Sequence, residues 1–446
     1  MNILLVNPWI YDFAAFDLWA KPLGLLYIGS VLENHGYKIR LIDCMDRLHP
    51  ALAHVKRNKK YGTGKFYAEE VEKPELYRTL PRKFKRYGLP LDCFEADLKR
   101  APSPDCIVVT SMMTYWYPGV HHAIRIIKNI FPTVPVIVGG IYATLCADHA
   151  RTFSGADYII EGNGIIPVLK TVDTLCGIKR NYASLSTHPD NLPYPAYHCY
   201  PALDSISMIT SLGCPYRCTY CASHVVQPHF LERNPAHVFK EILYSINTFG
   251  INHIAFYDDA LLINAPNRFI PLAQKIIAHN VPVSFHTPNG LNVRCITPTI
   301  AKLLFRAHVK TIRLSFESAA RHIQQRSSAK ITTADLIKAA RYLRNAGYTN
   351  RDIEVYLMVG LPTQTHQEVI DSLHFVHDCG LTIRLVQYSP IPHTADFLKA
   401  QKHDPHILQD PLYHNNSFYP LHMNETNHSD LYAMKNFVQE LNALYQ

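Results

Sequence analysis

"SISMITSLGCPYRCTYCAS", residues 205–223, runs from an apolar stretch of strand length straight into three cysteines, Cys214, Cys218 and Cys221. Gly213 stands before the first of them and the aromatic Tyr220 before the last. Structural zinc takes four closed ligands, commonly from two separated Cys-x-x-Cys pairs. No second pair follows here, although His224 stands close by. An electron-transfer iron–sulfur cluster also takes four thiolates. Three thiolates on a cubane of four irons would leave one iron open to another ligand.

The strand before the cysteines is the first of a series. Apolar runs at 205–211, 251–257, 281–287, 309–316, 352–359 and 382–388 alternate with helical patterns. Six parallel strands with crossover helices predict an open, barrel-like (β/α) sheet, since a closed barrel takes eight. The cysteines then lie at a strand's carboxyl end, where such sheets carry their sites.

Cys-x-x-x-Cys-x-x-Cys with an aromatic before the third cysteine resembles the radical S-adenosylmethionine (SAM) superfamily, and the resemblance extends over residues 205–395. "IAFYDDALLIN" (254–264), with Asp258 and Asp259, and "TPNGLNVRCIT" (287–297), with Asn289, resemble its second- and third-strand segments. "TIRLSFESA" (311–319) ends in Glu317–Ser318, where relatives contact the SAM ribose. "VYLMVGLPTQTHQE" (355–368) resembles the adenine-lining glycine motif, with Val359 and Gly360 at its turn. "YSPIPHTADF" (388–397) resembles a sixth-strand Pro-x-Pro-Gly-Thr segment, but His393 replaces the glycine. The resemblance implies that Cys214, Cys218 and Cys221 ligate a 4Fe–4S cluster. Tyr220 and the other residues named are then expected around SAM, which is cleaved to a 5′-deoxyadenosyl radical. Taken singly, strand-end acids also cap helices and glycines also make turns.

Residues 1–185 read as a second α/β unit. "NILLVN" (2–7), "YKIRLID" (37–43), "CIVVTSM" (106–112), "PVIVGG" (135–140) and "DYIIEG" (157–162) are strand-like, with helices predicted over 22–35 and near 118–130 and 143–153. Nearly all-apolar strands alternating with helices predict a doubly wound, Rossmann-like parallel sheet. Its carboxyl ends hold Asn7–Pro8, Asp43, "TSMMTYW" (110–116) and the Gly139–Gly140 turn, a crevice by position. This unit resembles the cobalamin-binding domain that precedes the radical SAM domain in one large subfamily, on "PLGLLYIGSVLENHGYKIRLID" (22–43), "VPVIVGGIYAT" (134–144) and "GADYIIEGNG" (155–164). Relatives that ligate cobalt from below use an Asp-x-His-x-x-Gly loop after the first strand. Here that loop reads "NPWIYDFAAFDLW" and contains no histidine. The domain therefore either holds cobalamin without a protein ligand or has become a scaffold. Asn7, Gly139 and Gly140 are the expected contacts, a side chain on Gly140 obstructing the ligand. Tyr115, Trp116 and Tyr117 either line the crevice or pack in the interior.

Between the units, 186–204 is a proline-rich linker, and 396–446 reads as a helical extension. Its histidines (His403, His406, His414, His422, His428) read as solvent-facing polar residues. Residues 56–100 carry 13 Lys/Arg against 7 Asp/Glu. This basic insertion (about 50–100) reads as solvated and partly mobile, with attraction of acidic partners as the alternative.

The chain has 446 residues, a net charge of +8 and eleven cysteines. No apolar run approaches the roughly 18–20 residues that span a bilayer. The start lacks the features of a signal peptide, so a reducing, cytoplasmic setting is expected, with the eight isolated cysteines as small buried hydrophobes. The resemblance implies cobalamin-dependent C-methylation of an unactivated carbon. A cyclisation, rearrangement or oxidation with a vestigial cobalamin domain is the alternative, and a non-catalytic metal protein contacting nucleic acid is a remote one. A small molecule or peptide is the expected substrate and flavodoxin or ferredoxin the reductant; nucleic acid and membrane are not expected partners.

Overall fold

The computed structural model describes residues 1–55, 60–326, 331–418 and 428–445, with the side chains of 428 and 429 set aside. The chain divides into two compact units, Met1–Asp204 with Asp410–Leu412, and Ser205–Gln409 with Tyr413–Gln446.

The first unit is built on β1 (Asn2–Asn7), β2 (Lys38–Asp43), β3 (Cys106–Val109), β4 (Val136–Val138) and β5 (Tyr158–Ile159), all parallel, in the order β5-β4-β3-β1-β2. Alternate residues of β1 serve opposite faces, as the two-residue period of a strand requires. Leu4 and Val6 pack with α2 (Tyr117–Ile130), through Val120, Ile124 and Ile127. Ile3 and Leu5 pack with α1 (Leu23–Asn34) and α3 (Ile165–Leu175), through Leu25, Leu32 and Leu169. The strand order reverses between β1 and β3, where a doubly wound sheet opens its ligand crevice. The helix expected near 143–153 is two pieces, Ile141–Leu145 and Ala147–Phe153, meeting at Cys146.

Two expectations about this unit are corrected. The described part of the basic insertion is folded: Ala68–Glu70 and Lys85–Tyr87 form an antiparallel ribbon with Ile10–Asp12, in the loop that follows β1. Lys83 pairs with Glu70, Arg78 with Glu75 and Arg86 with Glu69, so these cations are locally compensated. Residues 56–59 of the insertion lie outside the described residues. The proline-rich stretch is also packed on this unit, with Ala196 N–H donating to the Leu26 carbonyl and the Tyr200 hydroxyl to Asp43 Oδ2 at 2.6 Å.

The second unit carries β6 (Ser205–Met208), β7 (His253–Phe256), β8 (Ser284–His286), β9 (Val309–Glu317), β10 (Ile353–Val359) and β11 (Thr382–Gln387), neighbours in chain order and all parallel. All six predicted strands are present as an open sheet. One face of β9 sends Phe316 against Phe375 of α4 (His366–Asp378). The other carries Arg313, which donates to Glu354 of β10 at 2.9 Å, a polar concave face. The free edge of β11 is closed by Asn442 of a C-terminal helix (His428–Ala443): its side-chain amide accepts from the Ile383 N–H at 2.8 Å and donates to the Ile383 carbonyl at 2.9 Å. An amide thus takes the place of a neighbouring strand.

His414 is buried, with Nε2 against the Ile407 carbonyl at 2.9 Å, which corrects its reading as solvent-facing. His422 and the His428 side chain lie outside the described residues. Of the eight isolated cysteines only Cys44 and Cys106 are fully buried, and the other six are partly exposed. No described helix is long and apolar enough to cross a membrane.

Candidate functional site

The cysteines occupy the loop after β6, at the carboxyl edge of the second sheet. Gly213 has φ +78°, and a Cβ there would meet the His229 carbonyl oxygen at 2.7 Å, so only glycine makes this turn. Asp258, after β7, fixes the loop's root. Its carboxylate accepts from Thr210 N–H (3.0 Å), Thr210 Oγ1 (2.7 Å), Ser211 Oγ (2.7 Å) and Arg268 (3.3 Å). A buried carboxylate needs such a set. With these partners Asp258 orients the loop rather than pointing at a ligand. Asp259 instead is exposed, yet enough protein surrounds it to raise its pKa, through desolvation first, against a hydrogen bond from Ser223.

The three thiols are partly exposed, and Cys221 Sγ lies 3.2 Å from Ser223 Oγ. Burial raises the Cys214 thiol to about 11, with the charges of Asp259 and Cys221 adding to it. Metal binding, which takes thiolates, would therefore release protons. Among the described residues no three His, Cys, Asp or Glu side chains are gathered about one point.

Glu317, the last residue of β9, is both strained and incompletely satisfied. Its φ is +64°, and the register with β10 slips between Ser315 and Glu317. A side chain is held in that conformation only when its surroundings impose it. The carboxyl is buried, Oε2 has no partner, and desolvation pushes its pKa up to about 7 against a hydrogen bond from Tyr220. Tyr220, whose own pKa is raised far by desolvation and then by the Glu317 charge, joins the apolar cluster of Ile323, Leu361, Tyr388 and Phe397.

The other expected residues sit around the same sheet edge. Asn289 donates to the Tyr257 carbonyl at 2.9 Å, tying the ends of β7 and β8 together. Ser318 is buried, and its Oγ caps the Ala320 N–H at 3.1 Å. Val359 ends β10, and Gly360 turns with φ +89°. That turn is clamped by Gln364, whose Oε1 accepts from the N–H groups of Gly360 (3.0 Å) and Leu361 (3.3 Å). His393 adopts the left-handed φ of +67° that glycine would supply, so the sixth-strand turn survives the substitution. Sequence reasoning missed Thr210, Arg268 and Gln364. Thr-Ser after a strand and Gln after a Gly-Leu-Pro turn are weak signals that only tertiary contacts make specific.

In the first unit Asn7 and Asp43 are tied together at 2.6 Å, with Tyr200 on Asp43's other oxygen. Gly140 has φ +98°, and a Cβ on it would meet the Ser111 carbonyl oxygen at 2.2 Å. A side chain there is therefore already excluded by backbone, whatever ligand the crevice takes. On Gly139 a Cβ would find nothing nearer than 3.7 Å. Tyr115 is buried, Trp116 donates to Asp12 at 2.8 Å and Tyr117 to Asp410 at 3.0 Å, so these aromatics pack within the unit. Met112 and Met113, beside the end of β3, are exposed.

Both sites suit the groups expected in them. Three cysteines on the loop after β6, with an unpartnered buried carboxyl oxygen at the same edge of the sheet, on the end of β9, match a three-thiolate cluster beside a polar ligand. An exposed methionine pair beside the end of β3, with Gly139 at the end of the adjacent β4 where a Cβ meets no close contact, matches a large, largely apolar one.

Residues 208–376 match the radical SAM superfamily and 89–169 the B12 binding domain. The chain is 24% identical over 303 residues to an uncharacterised methyltransferase of Pyrococcus horikoshii, covering 61% of this chain and 64% of that one. It spans less than two thirds of that relative's length. Cytidylyl-2-hydroxyethylphosphonate methyltransferase of Streptomyces wedmorensis is 22% identical over 424 residues, 81% of this chain and 73% of that one. In fold the chain is similar to the radical SAM methyltransferase TsrM of Kitasatospora setae, solved with tryptophan substrate and a SAM analogue. The TM-score is 0.66 at 15% identity, covering 90% of this chain and 76% of that one. The two domains imply a 4Fe–4S cluster, SAM and cobalamin as cofactors. The chain therefore carries a radical SAM domain, with a B12-binding domain ahead of it.

Proposed function

We propose that the protein is a cobalamin-dependent radical SAM methyltransferase acting on an unactivated carbon of a small molecule. The observation that carries the SAM site is Glu317: a strained, buried carboxyl with one oxygen unpartnered, beside the residue that precedes the third cysteine. Its free oxygen suits the hydroxyls of a ribose. When bound, the cluster supplies the electron that opens the carbon–sulfur bond of SAM, and cobalamin supplies the methyl group.

The chain's own residues bind, orient and exclude water. Cys214, Cys218 and Cys221 hold the cluster, and Asp258 fixes their loop through Thr210 and Ser211. Tyr220 packs on the apolar cluster of Ile323, Leu361, Tyr388 and Phe397, beside the Glu317 carboxyl. The Ser318 main chain and the Val359–Gly360 turn, held open by Gln364, border the nucleoside. Asp259 and Asn289 form the polar rim. In the first unit Asn7, Gly139 and Gly140 form the edge for cobalamin, with Gly139 offering the open surface. The named activities of the relatives, on tryptophan and on a cytidylyl phosphonate, support a small-molecule substrate over a peptide. A flavodoxin or ferredoxin in a reducing cytoplasm is the matching electron donor.

Anaerobic reconstitution with iron and sulfide tests this reading. A 4Fe–4S cluster whose electron paramagnetic resonance spectrum changes with SAM, together with hydroxocobalamin uptake, supports it. Stoichiometric zinc with no iron overturns it.

A further inference from the structure

We infer that Asp396, beyond the end of the radical SAM match at residue 376, is the positioning residue for the Cys218–Cys221 arm of the cluster loop. Asp396 lies in the first turn of α5 (Ala395–His403) and is almost wholly buried. An acidic residue there ordinarily stays exposed and favours the helix dipole. This one turns inward. Its Oδ2 accepts from Thr219 Oγ1 at 2.7 Å, and its own N–H donates to the Thr219 carbonyl at 2.8 Å. Its Oδ1 pairs with Arg326 at 2.5 Å and Lys399 at 3.1 Å.

Thr219 stands between the second and third cysteines, so both its main chain and its side chain are pinned. The next residue, Tyr220, packs on the cluster that contains Phe397, Ala400 and Ile407. The arm is thus fixed on two sides by residues 396–407. A loop held in one conformation before its metal arrives spends less of the binding energy on ordering. Arg326 and Lys399 also compensate the buried Asp396 charge.

The inference rests on the reading that the three cysteines hold the cluster. The test compares the full-length wild type with Thr219→Val, Thr219→Ser and Asp396→Ala. Amide exchange over 214–222 is measured without metal, then iron and sulfide content and the resonance spectrum after anaerobic reconstitution. Thr219→Val and Asp396→Ala should exchange about tenfold faster in that loop, the scale of one buried hydrogen bond. Exchange in β7–β10 should be unchanged, with less iron retained and a broadened spectrum. Thr219→Ser should behave as wild type. Should Asp396→Ala open globally, the Thr219 pair decides. Unchanged loop exchange and iron in Thr219→Val, or Thr219→Ser failing alongside it, overturns the inference. A wild type that takes up no cluster overturns the cluster reading instead, while loop exchange still judges the tie.

Discussion

Tyr220, the residue before the third cysteine, lies close enough to Glu317, the last residue of β9, for the Glu317 charge to raise the tyrosine's pKa beyond what burial does. The residues are 97 apart in sequence, and this proximity brings the cysteine loop to the strand end that carries the unpartnered carboxyl oxygen. Whatever Glu317 binds is held beside whatever the cysteines bind.

Removing that carboxyl should weaken SAM binding while leaving the cluster in place. Glu317→Ala is expected to weaken SAM affinity by about 1–3 kcal/mol, the range for a hydrogen bond to a charged group, with iron content unchanged. Equilibrium binding to the reconstituted protein measures this. Wild-type affinity in the variant would reduce Glu317 to a strand-end acid.

The same carboxyl makes a pH prediction for the protein without cofactors. Its folded-state pKa is raised from 4.5 to about 7 by desolvation. Between those values the folded state binds more protons than the unfolded one, so this group's contribution to stability falls as pH rises through the window and levels off above 7. At about 1.4 kcal/mol per unit the loss has an upper bound of about 3.5 kcal/mol. Glu317→Gln cannot ionise and should gain on wild type between pH 5 and pH 8 in parallel urea titrations. A difference independent of pH would contradict the assignment.

Asp258 should matter to the fold before it matters to chemistry. Asp258→Ala leaves Arg268 buried without its carboxylate and removes the partner of Thr210 and Ser211. Breaking such a buried pair costs about 3–5 kcal/mol, a loss legible in denaturant unfolding of the second unit. An unfolding curve like that of wild type would mean the network is idle.

The two glycines after β4 separate structure from ligand. Gly140→Val forces a side chain into the Ser111 backbone, so the first unit should lose its cooperative melt. Gly139→Val has room and should leave the melt in place while lowering hydroxocobalamin uptake in an absorbance titration. Full uptake by Gly139→Val would place cobalamin elsewhere.

Much of this was legible in the sequence because it is local. Six apolar runs at regular spacing mark the second sheet, and Cys214, Cys218 and Cys221 announce themselves within eight residues. The doubly wound first unit follows from strands apolar on both faces, as the two cores flanking β1 show. What sequence hid depends on who meets whom. Asp258 and Asp259 are adjacent and alike on paper, yet one is saturated by Thr210, Ser211 and Arg268 while the other is exposed. Gly139 and Gly140 are likewise indistinguishable neighbours in sequence, but only Gly140 has a left-handed φ and a Cβ direction that runs into backbone. The basic insertion looked solvated because its cations outnumber its acids, but a ribbon partner from residues 10–12 and pairing such as Lys83 with Glu70 give part of it a fold.

The measurement that tests the central claim most directly is 5′-deoxyadenosine formation by the anaerobically reconstituted protein given SAM and a strong reductant. Wild type should carry a 4Fe–4S cluster and form the product. Cys214→Ala, Cys218→Ala and Cys221→Ala should each form none while keeping their melting profile, and Cys199→Ala, in the proline-rich stretch packed on the first unit, should form it as wild type does. Product formation that survives loss of one of the three cysteines, or that disappears with Cys199, would contradict the account.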